Sequence, residues 1–119
     1  MDKDCTIYKT ADFIGKRWTL LILLELYKGG SETRRYSELK RCLPEITPKI
    51  LSSRLKELEK DGLVVKKIDA AKFPVKCEYS LTKSGKDFIS IIKDIKKWAL
   101  RWNAKSRICA SSDCKECDL

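Results

Sequence analysis

Residues 47–67, TPKILSSRLKELEKDGLVVKK, decide the fold. Thr47 has the hydroxyl that caps a helix start, and Pro48 follows at the first helical position, where its missing N–H costs nothing. Leu51, Leu55 and Leu58 then recur at helical spacing and mark an inward stripe. Asp61-Gly62 closes the helix. Leu63 to Ile68 is a β-branched run and is expected as a strand. With the leucines hidden, Lys49, Ser52, Ser53 and Lys56 lie outside, and Arg54 sits at the flank. A helix with hydroxyls and cations outward, joined directly to a basic strand, suits a polyanionic surface.

Working upstream, Ser37 is expected to cap a short helix, SELKRCL, ended by Pro44. Thr33 to Tyr36 is a short lead-in. Before it, Trp18 to Lys28 forms a helix apolar on nearly all sides, stopped by Gly29-Gly30. A first helix runs from about Asp4 to Lys16, capped by Asp4 or Thr6, with Ile7, Ala11 and Ile14 as its stripe. Downstream, residues 69–75 form a loop and Lys76 to Leu81 a second strand, with Cys77, Tyr79 and Leu81 on one face. Thr82 caps a long final helix reaching about Ala104. In it Phe88, Ile91, Ile95, Trp98 and Trp102 recur every three or four residues. That stripe is longer and wider than a small core needs.

Two short helices, a tight turn and a basic hairpin in this order define a winged helix-turn-helix. The expected architecture is mainly α with a small β-hairpin and a long C-terminal dimerisation helix. Residues 1–105 would form one domain, followed by a cysteine-rich tail, 106–119.

The totals agree. In 119 residues, 26 lysines and arginines face 17 aspartates and glutamates, a formal net charge of +9. Such a balance favours a polyanionic partner, usually nucleic acid and sometimes an anionic membrane surface. There is no histidine, which removes Ser-His-Asp and Cys-His catalysis, and no phosphate-cradling loop among the five glycines. An enzyme is not expected. The first residues carry charges instead of a secretory signal, and the longest apolar run, Trp18 to Leu24, is too short for a bilayer. A cytoplasmic protein without membrane contact is the expectation.

The helix after Thr47 would enter the major groove, where base edges differ in donors and acceptors. Thr47, Lys49, Ser52, Ser53, Arg54 and Lys56 are its candidate contacts. Lys66, Lys67, Lys72 and Lys76 surround the wing, and Arg34, Arg35 and Ser37 precede the helix pair; these would hold phosphates. Ile7, Ala11 and Ile14 with Phe88, Ile91, Ile95, Trp98 and Trp102 would bury a two-fold partner. A homodimer places two recognition helices about 34–36 Å apart on operator DNA. The alternative is a winged-helix module for protein or RNA, without operator specificity.

Six cysteines in a cytoplasmic chain are thiols, metal ligands or redox switches before they are structural disulfides. Cys42 and Cys77 fall in apolar patterns and are expected in the core. Cys5 falls at the start of helix one, where helix N-termini make thiols reactive. Cys109, Cys114 and Cys117 have the spacing C-x4-C-x2-C. They suit redox thiols, zinc, or an iron-sulfur cluster with Cys5 as a fourth ligand, or have no function.

These residues also carry a family resemblance. IGKRWTLLILLELYKGG, RRYSELKRCLPEITPKILSSRLKELEKDGLVVKK and FPVKCEYSLTKSGKDF, then a helix ending in Trp, resemble the HxlR-type transcriptional regulators, winged helix-turn-helix proteins of the MarR-like group. The likeness runs from about Cys5 to Trp102. It implies a dimeric DNA-binding regulator joined through its first and last helices, with Pro48 to Lys60 as recognition helix. It also implies a sensing role for Cys5, since several members carry a redox-sensing cysteine just before helix one. The chain departs from the pattern at Lys16-Arg17, at Cys77 and in its tail.

Overall fold

The computed structural model describes residues 2–29, 33–71, 73, 75–102 and 115. Among them the chain orders its elements as α1 (Thr6–Ile14), α2 (Arg17–Lys28), β1 (Thr33–Arg35), α3 (Tyr36–Cys42), α4 (Pro48–Lys60), β2 (Val64–Asp69), β3 (Lys76–Leu81) and α5 (Lys83–Trp102). The three strands form one antiparallel sheet in the order β1-β3-β2. This is a winged helix-turn-helix: α3 and α4 are the helix pair, and β2 and β3 the wing.

The leucine stripe of α4 is buried as its spacing requires. Leu51, Leu55 and Leu58 pack with Ile22, Leu23 and Leu26 of α2, Leu39 of α3, Tyr79 and Leu81 of β3, and Ile89 and Ile92 of α5. Thr47 caps the helix, its hydroxyl accepting from Ile50 N–H at 3.2 Å. At the other end Gly62 takes φ +81°, the left-handed region open to glycine at little cost. There Gly62 N–H donates to Glu59 O (3.1 Å) and Leu63 N–H to Leu58 O (3.0 Å), a Schellman closure that turns the chain straight into β2.

Thr82 locks the far side of the wing. Its N–H donates to Leu63 O at 3.0 Å, its hydroxyl donates to Gly62 O at 2.6 Å, and the same hydroxyl accepts from Gly85 N–H at 3.2 Å. Gly85 is buried so closely under the Leu63 carbonyl that a Cβ there would collide with backbone.

Several local expectations are corrected. The lead-in to α3 is a strand: Thr33, Arg34 and Arg35 pair with Ser80, Tyr79 and Glu78, so the hairpin is part of a three-stranded sheet. Three residues carry too little periodicity for such a strand to be read locally. Helix α3 begins at Tyr36 with Arg35 at the N-cap, and Ser37 is inside its first turn. The start is held instead by Glu38, whose carboxylate accepts from Arg35 N–H at 3.2 Å. Helix α1 is shorter than expected. It starts after Cys5, without a side-chain cap from Asp4 or Thr6, and stops at Gly15; extended Lys16 then N-caps α2. Only one face of α2 is fully buried, at Thr19, Ile22, Leu23 and Leu26. Residues 103 and 104, the expected end of the last helix, lie outside the described residues.

Candidate nucleic-acid interface

With its leucines inward, α4 presents Lys49, Ser53 and Lys56 as exposed side chains, with exposed Thr47 at its N-terminus. Ser52 and Arg54 are half-buried on either flank. Ser52 Oγ donates to the Tyr36 hydroxyl at 3.3 Å, and that hydroxyl donates to Pro48 O at 3.0 Å. Tyr36 therefore ties the start of α3 to the start of α4 and sets the angle of the helix pair. Arg54 donates to Glu57 Oε1 at 2.7 Å, and the other oxygen of that carboxylate accepts from Lys16 at 3.0 Å. Donation from Lys16 does most to hold the Glu57 carboxyl below the usual range; burial opposes it, and donation from Arg54 adds to it.

The basic residues ahead of α3 separate into two roles. Arg35 and Ser37 are exposed beside the helix pair. Arg34 is turned inward, its side chain only 17% exposed. Its guanidinium donates to Glu25 O at 2.7 Å and to Cys42 Sγ at 3.2 Å, and lies 3.6 Å from Glu25 Oε2. This arginine clamps β1 to the end of α2, so it is a structural residue in this conformation. Its neighbour is the one left at the surface because strand alternation sends successive side chains to opposite faces.

On the wing, Lys66 and Lys67 are exposed, and Lys66 lies over the Tyr79 ring at 5.8 Å. Burial pushes the Tyr79 hydroxyl up to about 12, so it is neutral at any physiological pH. Lys76 pairs with Glu78 at 2.8 Å. Lys72 lies outside the described residues.

Three side chains that fix the setting of α4 were not among the sequence candidates: Tyr36, Lys16 and Glu57. The Arg54–Glu57 spacing, three apart on one helix, was a readable signal for a helical ion pair. Tyr36 and Lys16 gave none, because each acts on a helix remote in sequence.

The first and last helices leave a large apolar surface uncovered. Ile7, Ile91, Ile95, Trp98 and Trp102 are exposed, with Trp102 at 67%. Ala11 is exposed and Ile14 half-buried. Phe88 instead turns into the chain, edge-on to Phe13 with ring centroids 5.3 Å apart.

Among the cysteines, Cys5 is half-buried at the N-cap of α1, with its backbone extended and its carbonyl accepting from Lys9 N–H at 3.1 Å. Cys77 is half-buried against the core. Cys42 is exposed, contrary to its expected burial, because it is the last residue of α3 and its side chain turns out toward Arg34. Partial desolvation of its sulfur raises this thiol above the ordinary range, with Arg34 opposing and Glu25 adding to the rise. Cys109, Cys114 and Cys117, candidates for redox or metal chemistry, lie outside the described residues. Among the described residues no group of three or more such side chains is arranged to hold a metal, and no helix is long and apolar enough to cross a membrane.

Comparison with known proteins agrees with this geometry. The HxlR-like helix-turn-helix family matches residues 13–107. The HTH-type transcriptional regulator YvaP of Bacillus subtilis (strain 168) is 44% identical over 94 residues, covering 79% of this chain and 83% of YvaP. The reduced form of the transcriptional regulator YodB from B. subtilis superposes with a TM-score of 0.74 at 31% identity, over 86% of this chain and 97% of that one. The redox regulator HypR in its oxidised form superposes with a TM-score of 0.72 at 32% identity, over 84% and 99%. YvaP and YodB are named regulators of transcription, not enzymes, and this chain belongs to the HxlR-like helix-turn-helix family.

Proposed function

We propose that the protein is a homodimeric regulator that reads specific double-stranded DNA through α4 and responds to oxidants through its thiols. The observation that carries the DNA reading is the two-sidedness of α4. Its leucine side is fully buried, while Lys49, Ser53 and Lys56 stand exposed on the opposite side of a helix capped by Thr47. An exposed helix of this width fits the major groove, and its free N-terminal N–H groups and Thr47 can meet phosphate. Arg35, Ser37, Lys66 and Lys67 flank it and supply charge without sequence information. Lys76 can add its charge on the same hairpin once its pair with Glu78 exchanges for phosphate.

Uncovered apolar residues on α1 and α5 support the dimer. A contiguous apolar stripe of this kind on a basic chain needs a cover, and a second copy provides one with the same chemistry. The thiol reading is supported by Cys5, the N-cap of α1 and so at the end of a helix of the proposed interface. A similar solved chain is named a redox regulator. Oxidation of Cys5 together with a second thiol would cross-link or shift α1, and it changes DNA affinity only if the two arrangements bind DNA differently.

Footprinting of the native promoter region under reducing and oxidising conditions tests the whole reading. A protected pseudo-palindrome, lost or gained on oxidation in the wild type and insensitive in a variant lacking Cys5, Cys109, Cys114 and Cys117, is expected. Equal affinity for random duplex or RNA would replace it with the interaction-module reading.

A further inference from the structure

The wing ends in an apolar tip that no core residue covers. Phe73 is 100% exposed, Ile68 60% and Val75 58%. Ile68 pairs with Cys77 and lies on the side of the hairpin shared by buried Val64, Tyr79 and Leu81, but beyond the edge of the core. Monomeric proteins leave single apolar residues outside, yet three together at the end of a projecting hairpin mark a contact surface. The stalk beneath is well built. Pairing between β2 and β3 is continuous from Val64↔Leu81 to Asp69↔Lys76, and Asp69 Oδ1 accepts from Ala71 N–H at 3.1 Å to shape the turn.

The geometry points to Phe73, supported by Ile68 and Val75, as an apolar wedge that enters the DNA minor groove beside the α4 site and opens a base step there. The inference rests on the DNA-binding reading above and adds a second, shape-dependent source of specificity to it. Two features select DNA over a protein or lipid occupant. The stalk carries exposed Lys66 and Lys67 next to the tip, so charge that would hold phosphates brackets the apolar group. The reach also fits. Strands of six residues extend about 20 Å, while the minor groove lies roughly half a turn, about 17 Å, from the major-groove site. Since the Schellman turn joins α4 directly to β2, a docked α4 brings the base of the wing to the same duplex. Apolar side chains driven between base steps unstack them, and pyrimidine–purine steps yield most easily. Phe73 thus selects TA or CA/TG steps at positions that α4 never touches.

The test is selection from a random duplex library at fixed salt with the full chain, its F73A variant and its F73W variant. Wild type should enrich an inner motif flanked by pyrimidine–purine steps. F73A, altered at a fully exposed position, should keep the inner motif, lose the flanks, and bind the wild-type duplex about tenfold less tightly, a loss comparable to one stacked base. F73W should retain both. With 2-aminopurine at the flanking step, fluorescence should rise on adding wild type or F73W and stay flat with F73A. Unchanged flanks and affinity in F73A overturn the wedge while leaving the α4 reading intact. So does a loss that is equal on every sequence, as a phosphate contact would give. No enriched motif with wild type overturns the DNA reading itself. Phe73-dependent flotation with anionic vesicles, alongside unchanged DNA selection, assigns the tip to a membrane surface instead.

Discussion

Lys16, at the cap of α2, donates to Glu57 of α4 at 3.0 Å, across 41 residues of sequence. The carboxylate between them also accepts from Arg54 at 2.7 Å. The junction of the first two helices is therefore linked to a cation on the flank of the proposed recognition helix.

Glu57→Gln weakens both links and removes a negative charge beside the DNA-facing side. The pairs are partly exposed, so stability should fall by only about 0.2–1 kcal/mol. Arg54, released, should take a phosphate. The plot of log affinity against log salt is then expected to steepen by about one unit. An identical slope in gel-shift titrations from 50 to 200 mM salt would show that Arg54 stays out of the interface.

The same carboxylate makes stability depend on pH. Its folded-state value is depressed below 4.5, so its contribution is present above that value and is lost as pH falls through the folded one. Thermal denaturation between pH 6 and 3 should therefore show the gap between wild type and Glu57→Gln closing toward acid. A gap that widens toward acid contradicts the pairing.

Leu55 and Lys56 are adjacent on α4, yet the first is buried and the second exposed. Leu55 is 1% exposed, and Leu55→Ala should cost about 2–5 kcal/mol, enough to threaten folding of a domain whose whole stability is about 5–15 kcal/mol. Lys56→Ala should leave stability within about 0.5 kcal/mol and weaken DNA binding. Urea denaturation paired with gel shifts separates the two, and reversed outcomes would mean that α4 is rotated from its described setting.

Gly85 packs under the Leu63 carbonyl, where any Cβ meets backbone. Gly85→Ala must push α5 away from the β2 junction and should destabilise by about 1–3 kcal/mol despite the better helix propensity of alanine. A variant as stable as wild type in calorimetry would refute the close approach.

Ile95 is exposed on the uncovered face of α5. Ile95→Glu should convert a dimeric mass to a monomeric one in sedimentation at micromolar concentration, with helical circular dichroism kept. A wild-type monomer under the same conditions removes the proposed interface.

The readable features share one property: they are local. The Thr47 cap, Pro48 after it, the leucine spacing and the Asp61-Gly62 stop act within a few residues, and the structure places them as their chemistry requires. The winged helix-turn-helix followed from their order, and the family likeness rested on the same segments. What was missed depends on partners far along the chain. Thr33–Arg35 becomes a strand only because β3 offers an edge to pair with. Arg34 then turns to Glu25 and Cys42, which withdraws a phosphate candidate and leaves Arg35 in its place.

Local sequence thus determined the helices, the two strands of the wing and which side of α4 is apolar, because side-chain period and capping are short-range effects. Tertiary structure alone decided which cations remain at the surface, that Cys42 is outside the core, and that Phe73 is fully exposed beyond the strands of the wing. Those outcomes depend on which elements pack together, and burial is a property of the whole assembly of elements and not of any one stretch.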